Sequence, residues 1–210
     1  MKAGAKKEQS GTTPSAIGIR VHSGWGALVA VSGKAGAEEI IDRRRIAIID
    51  PKTVGVTQPY HFAKAVGIHK GEQHIAKCAA ASARLALASM REVVDQLRDR
   101  GYSVAGAAIL LSSGKPLPAL EKILASHALI HAAEGEFFRQ AFRESFAGLR
   151  IPVTGIRERE LVEHAAATFG KATPRLQQRI AGLGRSLGPP WTQDQKAAAM
   201  AAAVVLAAGA

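Results

Sequence analysis

Apolar positions fall into short runs in the first part of the chain and into long helical stripes later. Ser15–Val21 (SAIGIRV) and Gly26–Ser32 (GALVAVS) favour β-structure and are separated by a turn at Gly24, the spacing of a hairpin. Arg43–Ile49 (RRRIAII) predicts a third strand, stopped by Asp50-Pro51. From Asp50 to Gly71 the pattern dissolves among Gly55, Pro59 and Gly67, which predicts a largely irregular segment. Ile75, Ala79, Leu85, Val93 and Leu97 then mark one stripe of a long helix over 72–100, ended by Gly101. Val104–Leu111 is apolar almost throughout, as expected of a strand buried on both faces. A helix is predicted over 117–149, with Gly135 as the point where it would break, followed by a fifth strand at Ile151–Gly155. Helical segments over 157–169, 174–187 and 192–208 close the chain. Thr192 is the N-cap of the last, and Asp194 lies in its first turn.

This element order predicts an α/β fold: a mixed five-stranded sheet with helices on both faces. The 210 residues are enough for one such domain, placed at 15–210. Residues 1–14 read as a flexible basic arm carrying Lys2, Lys6 and Lys7, without the apolar centre of a secretory signal. Ala197–Ala210 is too short and alanine-rich to span a bilayer, so no membrane association and, by default, a cytoplasmic location are expected. The single cysteine, Cys78, excludes an intramolecular disulfide framework and is expected to be buried and inert. Net charge changes the picture more. The chain carries +11, mostly within the folded part, which favours acidic partners such as DNA or RNA. Only two Trp and two Tyr are available for stacking, which argues against a dedicated single-strand binder.

Three segments resemble the RuvC resolvase branch of the RNase H-like superfamily. Ile17–Val31 (IGIRVHSGWGALVAV) resembles its first hairpin, and Leu129–Thr154 its helix leading into an Ile-Pro-Val strand. Trp191–Leu206 (WTQDQKAAAMAAAVVL) resembles its last helix. The resemblance implies an RNase H-like fold and a site where clustered carboxylates hold two divalent cations against a scissile phosphate. At the positions implied for those acids this chain has Arg20, the stretch Leu110–Ser113, and Asp194 followed one turn on by Ala197. A cation there is expected to meet one carboxylate and one guanidinium, and Arg20→Asp alone is expected to leave the site an acid short. Arg20 is expected to pair with a carboxylate such as Asp194, or to meet a phosphate in place of the metal.

Other candidates stand apart from this site. His127, His131 and Glu134 fall at i, i+4 and i+7 and form one helical stripe able to hold Zn²⁺. The competing reading packs both histidines against the sheet and leaves Glu134 exposed. Arg43, Arg44 and Arg45, together with the arm lysines, are the candidate phosphate contacts. His69-Lys70-Gly71 and His74 open the long helix, where an anion could be received. Ser112-Ser113-Gly114-Lys115 lacks the spacing of a phosphate loop, which excludes nucleotide hydrolysis of that type. Phe137, Phe138, Phe142 and Phe146 are core or homodimer contacts. The leading expectation is a catalytically inactive RuvC-like protein, without a cofactor, that binds nucleic acid non-specifically or serves assembly. The alternatives are an enzyme with a metal site rebuilt around His127, His131 and Glu134, aided by His22 or His69, and a structural subunit of a bacterial complex.

Overall fold

A computed structural model describes residues 12–112 and 116–209. Five strands form one sheet in the order β3-β2-β1-β4-β5. β1 (Thr13–His22), β2 (Trp25–Ser32) and β3 (Glu39–Ala47) make an antiparallel meander, while β4 (Tyr102–Leu111) and β5 (Val153–Arg157) run parallel to β1. The C-terminal ends of β1, β4 and β5 therefore share one edge of the sheet. Ligand sites of open α/β sheets lie at such edges.

Side chains alternate across the sheet, and each face has its own core. Ile17 and Ile19 point to one face, where they pack with Leu28, Ile109, Met90, Phe138 and Phe142. That layer is built by α2 (Ile68–Asp99) and α4 (His127–Gly148). In α2 the buried positions Cys78, Ser82, Ala86, Met90, Val93 and Leu97 recur at helical spacing. Phe138, Phe142 and Phe146 are fully buried, so they are core rather than dimer contacts. On the other face Ala16, Val29, Ala108 and Ile156 pack against α5 (Leu161–Phe169), α6 (Thr173–Gly182) and α8 (Gln193–Ala208).

Helix α8 lies unusually close to the sheet. A Cβ on Gly18 would stand 2.8 Å from the carbonyl carbon of Ala198 and 3.1 Å from the nitrogen of Ala202, and one on Gly106 would stand 2.8 Å from Val205. Glycine on the strands and alanine on the helix bring backbone against backbone. The alanine-rich tail is thus a packing surface, and among the described residues no helix is long and apolar enough to cross a membrane. Thr192 caps α8 as expected: its side chain accepts from Gln195 N, and Gln195 Oε1 accepts from Thr192 N at 2.9 Å.

Three helical segments differ from expectation. The segment read as irregular contains α1 (Pro59–Val66), started by Pro59 and separated from α2 only by Gly67. The single helix expected over 117–149 is two, α3 (Leu120–Leu124) and α4, divided where the Ser126 side chain caps Leu129 N. Gly135 does not break α4. The guanidinium of Arg139 lies 3.0 Å from where its Cβ would be and covers that position. The segment expected as one helix over 174–187 is likewise α6 followed by a short α7 (Gly184–Leu187).

The seam between β1 and α8 yields a direct prediction. Gly18→Ala should destabilise the fold by about 1–3 kcal/mol through overpacking alone. Urea unfolding measures this, and an unchanged midpoint would contradict the close approach.

Candidate functional site

The alternation that sends Ile17 and Ile19 to one face sends Gly18, Arg20 and His22 to the other. Because α8 touches β1 at Gly18 through Ala198, its first turn comes to lie over the end of the strand. Asp194, one turn before Ala198, meets both protruding side chains. Its Oδ1 accepts from Arg20 Nη1, and its Oδ2 lies 2.9 Å from His22 Nε2.

A second carboxylate completes the arrangement. Glu158 follows β5 directly, in a short 3₁₀ turn (Glu158–Glu160), two residues beyond the buried Ile156 and on the same face. Its oxygens accept from Arg20 Nε and Nη2, both at 3.0 Å, in the bidentate geometry suited to a guanidinium. The hydrogen bonds that Arg20 donates to Glu158 raise its pKa most; burial opposes them, and the bond donated to Asp194 reinforces them. Arg20 is fixed in its charged form. Between the strands that bear Arg20 and Glu158, the register pairing Ile19 with Ile109 sets Leu110, which is buried.

The expectation that Arg20 pairs with Asp194 matches the structure, but the accounting of acids needs correction. A cation here would meet two carboxylates, not one, and Arg20→Asp would leave three around the same space. The helix predicted from Arg157 onward conceals Glu158 in the sequence. The available signal was an acid placed immediately after a strand parallel to β1.

The basic triplet is divided by strand alternation and does not form one patch. Arg43 donates to the carbonyls of Leu187, Gly188 and Pro190 at 2.5–3.0 Å, anchoring the segment that leads into α8. Those bonds make Arg43 a structural tie, a correction to its reading as a phosphate contact. Arg44 faces α2, bonded to Gln96 and paired with Asp42 at 2.6 Å. Arg45 is exposed, with its guanidinium 4.2 Å from the Trp25 ring centroid. Trp25 stacks in turn on His22 at 4.3 Å between centroids. The register Arg20↔Ala27↔Arg45 therefore places Arg45 on the same face as Arg20, two strands away. Lys2, Lys6 and Lys7 lie outside the described residues.

The histidine stripe also departs from expectation. Glu134 is 4% exposed, whereas His127 and His131 are at the surface, the reverse of the reading in which the histidines pack on the sheet. The carboxylate is turned towards α1, where its Oε1 accepts from His61 Nδ1 at 2.9 Å and from His61 N at 3.2 Å. His61 was missed because its segment was read as irregular, although Pro59 two residues earlier is a helix-start signal. His74 packs on Phe62 at 4.1 Å between ring centroids, with Cys78 Sγ 3.4 Å from its Nε2. Cys78 is buried, and burial raises its thiol pKa while Lys77 lowers it by less, so it is held as an unreactive thiol.

No family model matches the chain, and no curated protein matches it in sequence. Among solved structures it is similar to Thermus thermophilus RuvC, with TM-score 0.53 and 14% identity over 92% of this chain and 95% of that one. It is likewise similar to T. thermophilus RuvC in complex with a Holliday junction substrate, with TM-score 0.52 and 12% identity over 92% and 94% of the two chains. The fold is therefore of the RuvC-like, RNase H type.

The ion-pair cluster predicts energetic coupling. A double-mutant cycle of Arg20→Ala and Asp194→Ala, read by urea unfolding, should give a coupling energy of about 1 kcal/mol. Strictly additive losses would contradict the pairing.

Proposed function

We propose that the chain is a RuvC-like module that binds nucleic acid through its basic charge without cleaving it. The observation that carries this reading is the position of the Arg20 guanidinium, bonded to Glu158 and Asp194 at the shared end of the parallel strands. Two-metal phosphodiester cleavage requires several carboxylates free to hold cations a few ångströms apart. Here a fixed positive charge takes both oxygens of Glu158 and one of Asp194, and β4 brings buried Leu110 to the adjacent position. The residues present do not fit a pair of Mg²⁺ ions.

The binding half of the reading rests on two further facts. The chain carries +11, and the exposed Arg45, backed by Trp25, stands on the same face as the Arg20 cluster. A guanidinium held over an aromatic ring keeps its outer donors available to a phosphate oxygen. The similar RuvC structure with a Holliday junction supports a branched duplex as the first substrate to try.

Labelled junction, linear duplex and RNA–DNA hybrid are incubated with the protein and Mg²⁺ or Mn²⁺. The expected outcome is binding that weakens steeply with salt and no cleavage product. Arg45→Ala should lower the slope of log affinity against log salt by about one, as for the loss of a single phosphate contact. Cleavage that disappears in Asp194→Asn, or no binding even at low salt, overturns the proposal.

A further inference from the structure

His61 comes from the first turn of α1, and His127 and His131 from the first two turns of α4, so three imidazoles from two helices meet at one point. Their ring centroids are 4.4–5.4 Å apart, with the planes inclined by 63–88°, and each offers a ring nitrogen within 4.8 Å of the others. The steep inclinations exclude parallel stacking, so ring overlap is not what brings the three nitrogens together. Four-coordinate Zn²⁺ with bonds of about 2.0–2.1 Å needs nitrogens about 3.3 Å apart. Binding at that spacing asks side-chain rotation of His127 and His131, both of which are exposed.

Glu134 supplies the second, independent observation. It is buried, and its Oε1 lies 2.9 Å from His61 Nδ1. An Nδ1–H donated to the carboxylate leaves the Nε2 lone pair free, and a carboxylate behind an imidazole fixes the tautomer and orientation of a metal-ligating histidine. The bond from His61 N to the same oxygen also caps the start of α1, where Gln58 provides no side-chain cap. Capping explains the burial of Glu134. It does not explain three imidazole nitrogens gathered within 4.8 Å of one another.

We propose that His61, His127 and His131 form a binding site for Zn²⁺ or a similar divalent transition metal, with Glu134 as the residue that positions His61. This alters the ligand set expected from the sequence: Glu134 moves behind the site and His61 enters it. Three imidazoles leave a fourth coordination position, and the exposure of His127 and His131 opens it to water. The site is independent of the Arg20 cluster and of the nucleic-acid reading.

The test is titration of the untagged, chelator-stripped full chain with Co²⁺, followed by visible absorption, and then with Zn²⁺ as competitor. One equivalent should bind with the intense absorption of a four- or five-coordinate ion, and Zn²⁺ should bleach it and raise the melting temperature. His127→Ala and His131→Ala, both at surface positions, should each weaken binding by more than about 100-fold while leaving the far-ultraviolet dichroism unchanged. Glu134→Gln should weaken it by about 10–100-fold and alter the Co²⁺ spectrum, a change that loss of a helix cap alone would not produce. If His61→Ala or Glu134→Gln fails to fold, the two surface variants still decide the matter. Uptake below about a tenth of an equivalent, or uptake undiminished in His131→Ala, overturns the site.

Discussion

Backbone contact between β1 and α8 is the constraint on which the rest of the structure depends. Gly18 has no Cβ, so the Ala198 carbonyl can rest on the strand, and a helix of alanines can follow the sheet from Gly18 to Gly106. Close-packed interiors tolerate little error in volume, so a contact this short sets the height and the register of the helix together. From that register follows the site. Asp194 is one turn before Ala198 and Arg20 is two residues after Gly18, so the two must meet. The anchoring of residues 187–190 by Arg43 and the Thr192 cap then define where the first turn begins.

The same geometry sets how the acids at this RNase H-type sheet edge are paired. Arg20 projects from the central strand and has donors enough for both neighbours, two to Glu158 and one to Asp194. Counting Arg20, Glu158 and Asp194 alone, the cluster carries one net negative charge. A lone residual charge is partnered by the His22 ring, which is itself held flat against Trp25. The edge is an internally satisfied ion-pair network, and the exposed, positive Arg45 lies on the same face of the sheet.

Much of the fold was legible because it rests on local signals. Alternation marked the hairpin, continuous apolar character marked β4, and the Thr192 cap marked α8. What was missed depends on tertiary context. α1 is only eight residues long between glycines, and a helix that short relies on packing rather than on propensity. With it went His61, and so the true environment of Glu134. Glu158 was hidden by one boundary: the strand IPVTG continues to Arg157, and the acid at its end lay inside what periodicity read as helix. The split of Arg43, Arg44 and Arg45 between two faces was readable from strand alternation, but which arginine met a carbonyl and which met solvent was decided by α2 and the 187–190 segment.

The central claim is that a guanidinium, not a cation, belongs between Glu158 and Asp194. Electron paramagnetic resonance of free Mn²⁺ tests this without reference to any substrate. Titrated with millimolar Mn²⁺, the full chain should take up no ion at this site, so Asp194→Asn should leave the isotherm unchanged. Arg20→Asp, which surrounds the same space with three carboxylates, should acquire binding that a further Asp194→Asn removes. Wild-type protein that binds Mn²⁺ and loses it on Asp194→Asn would contradict the account.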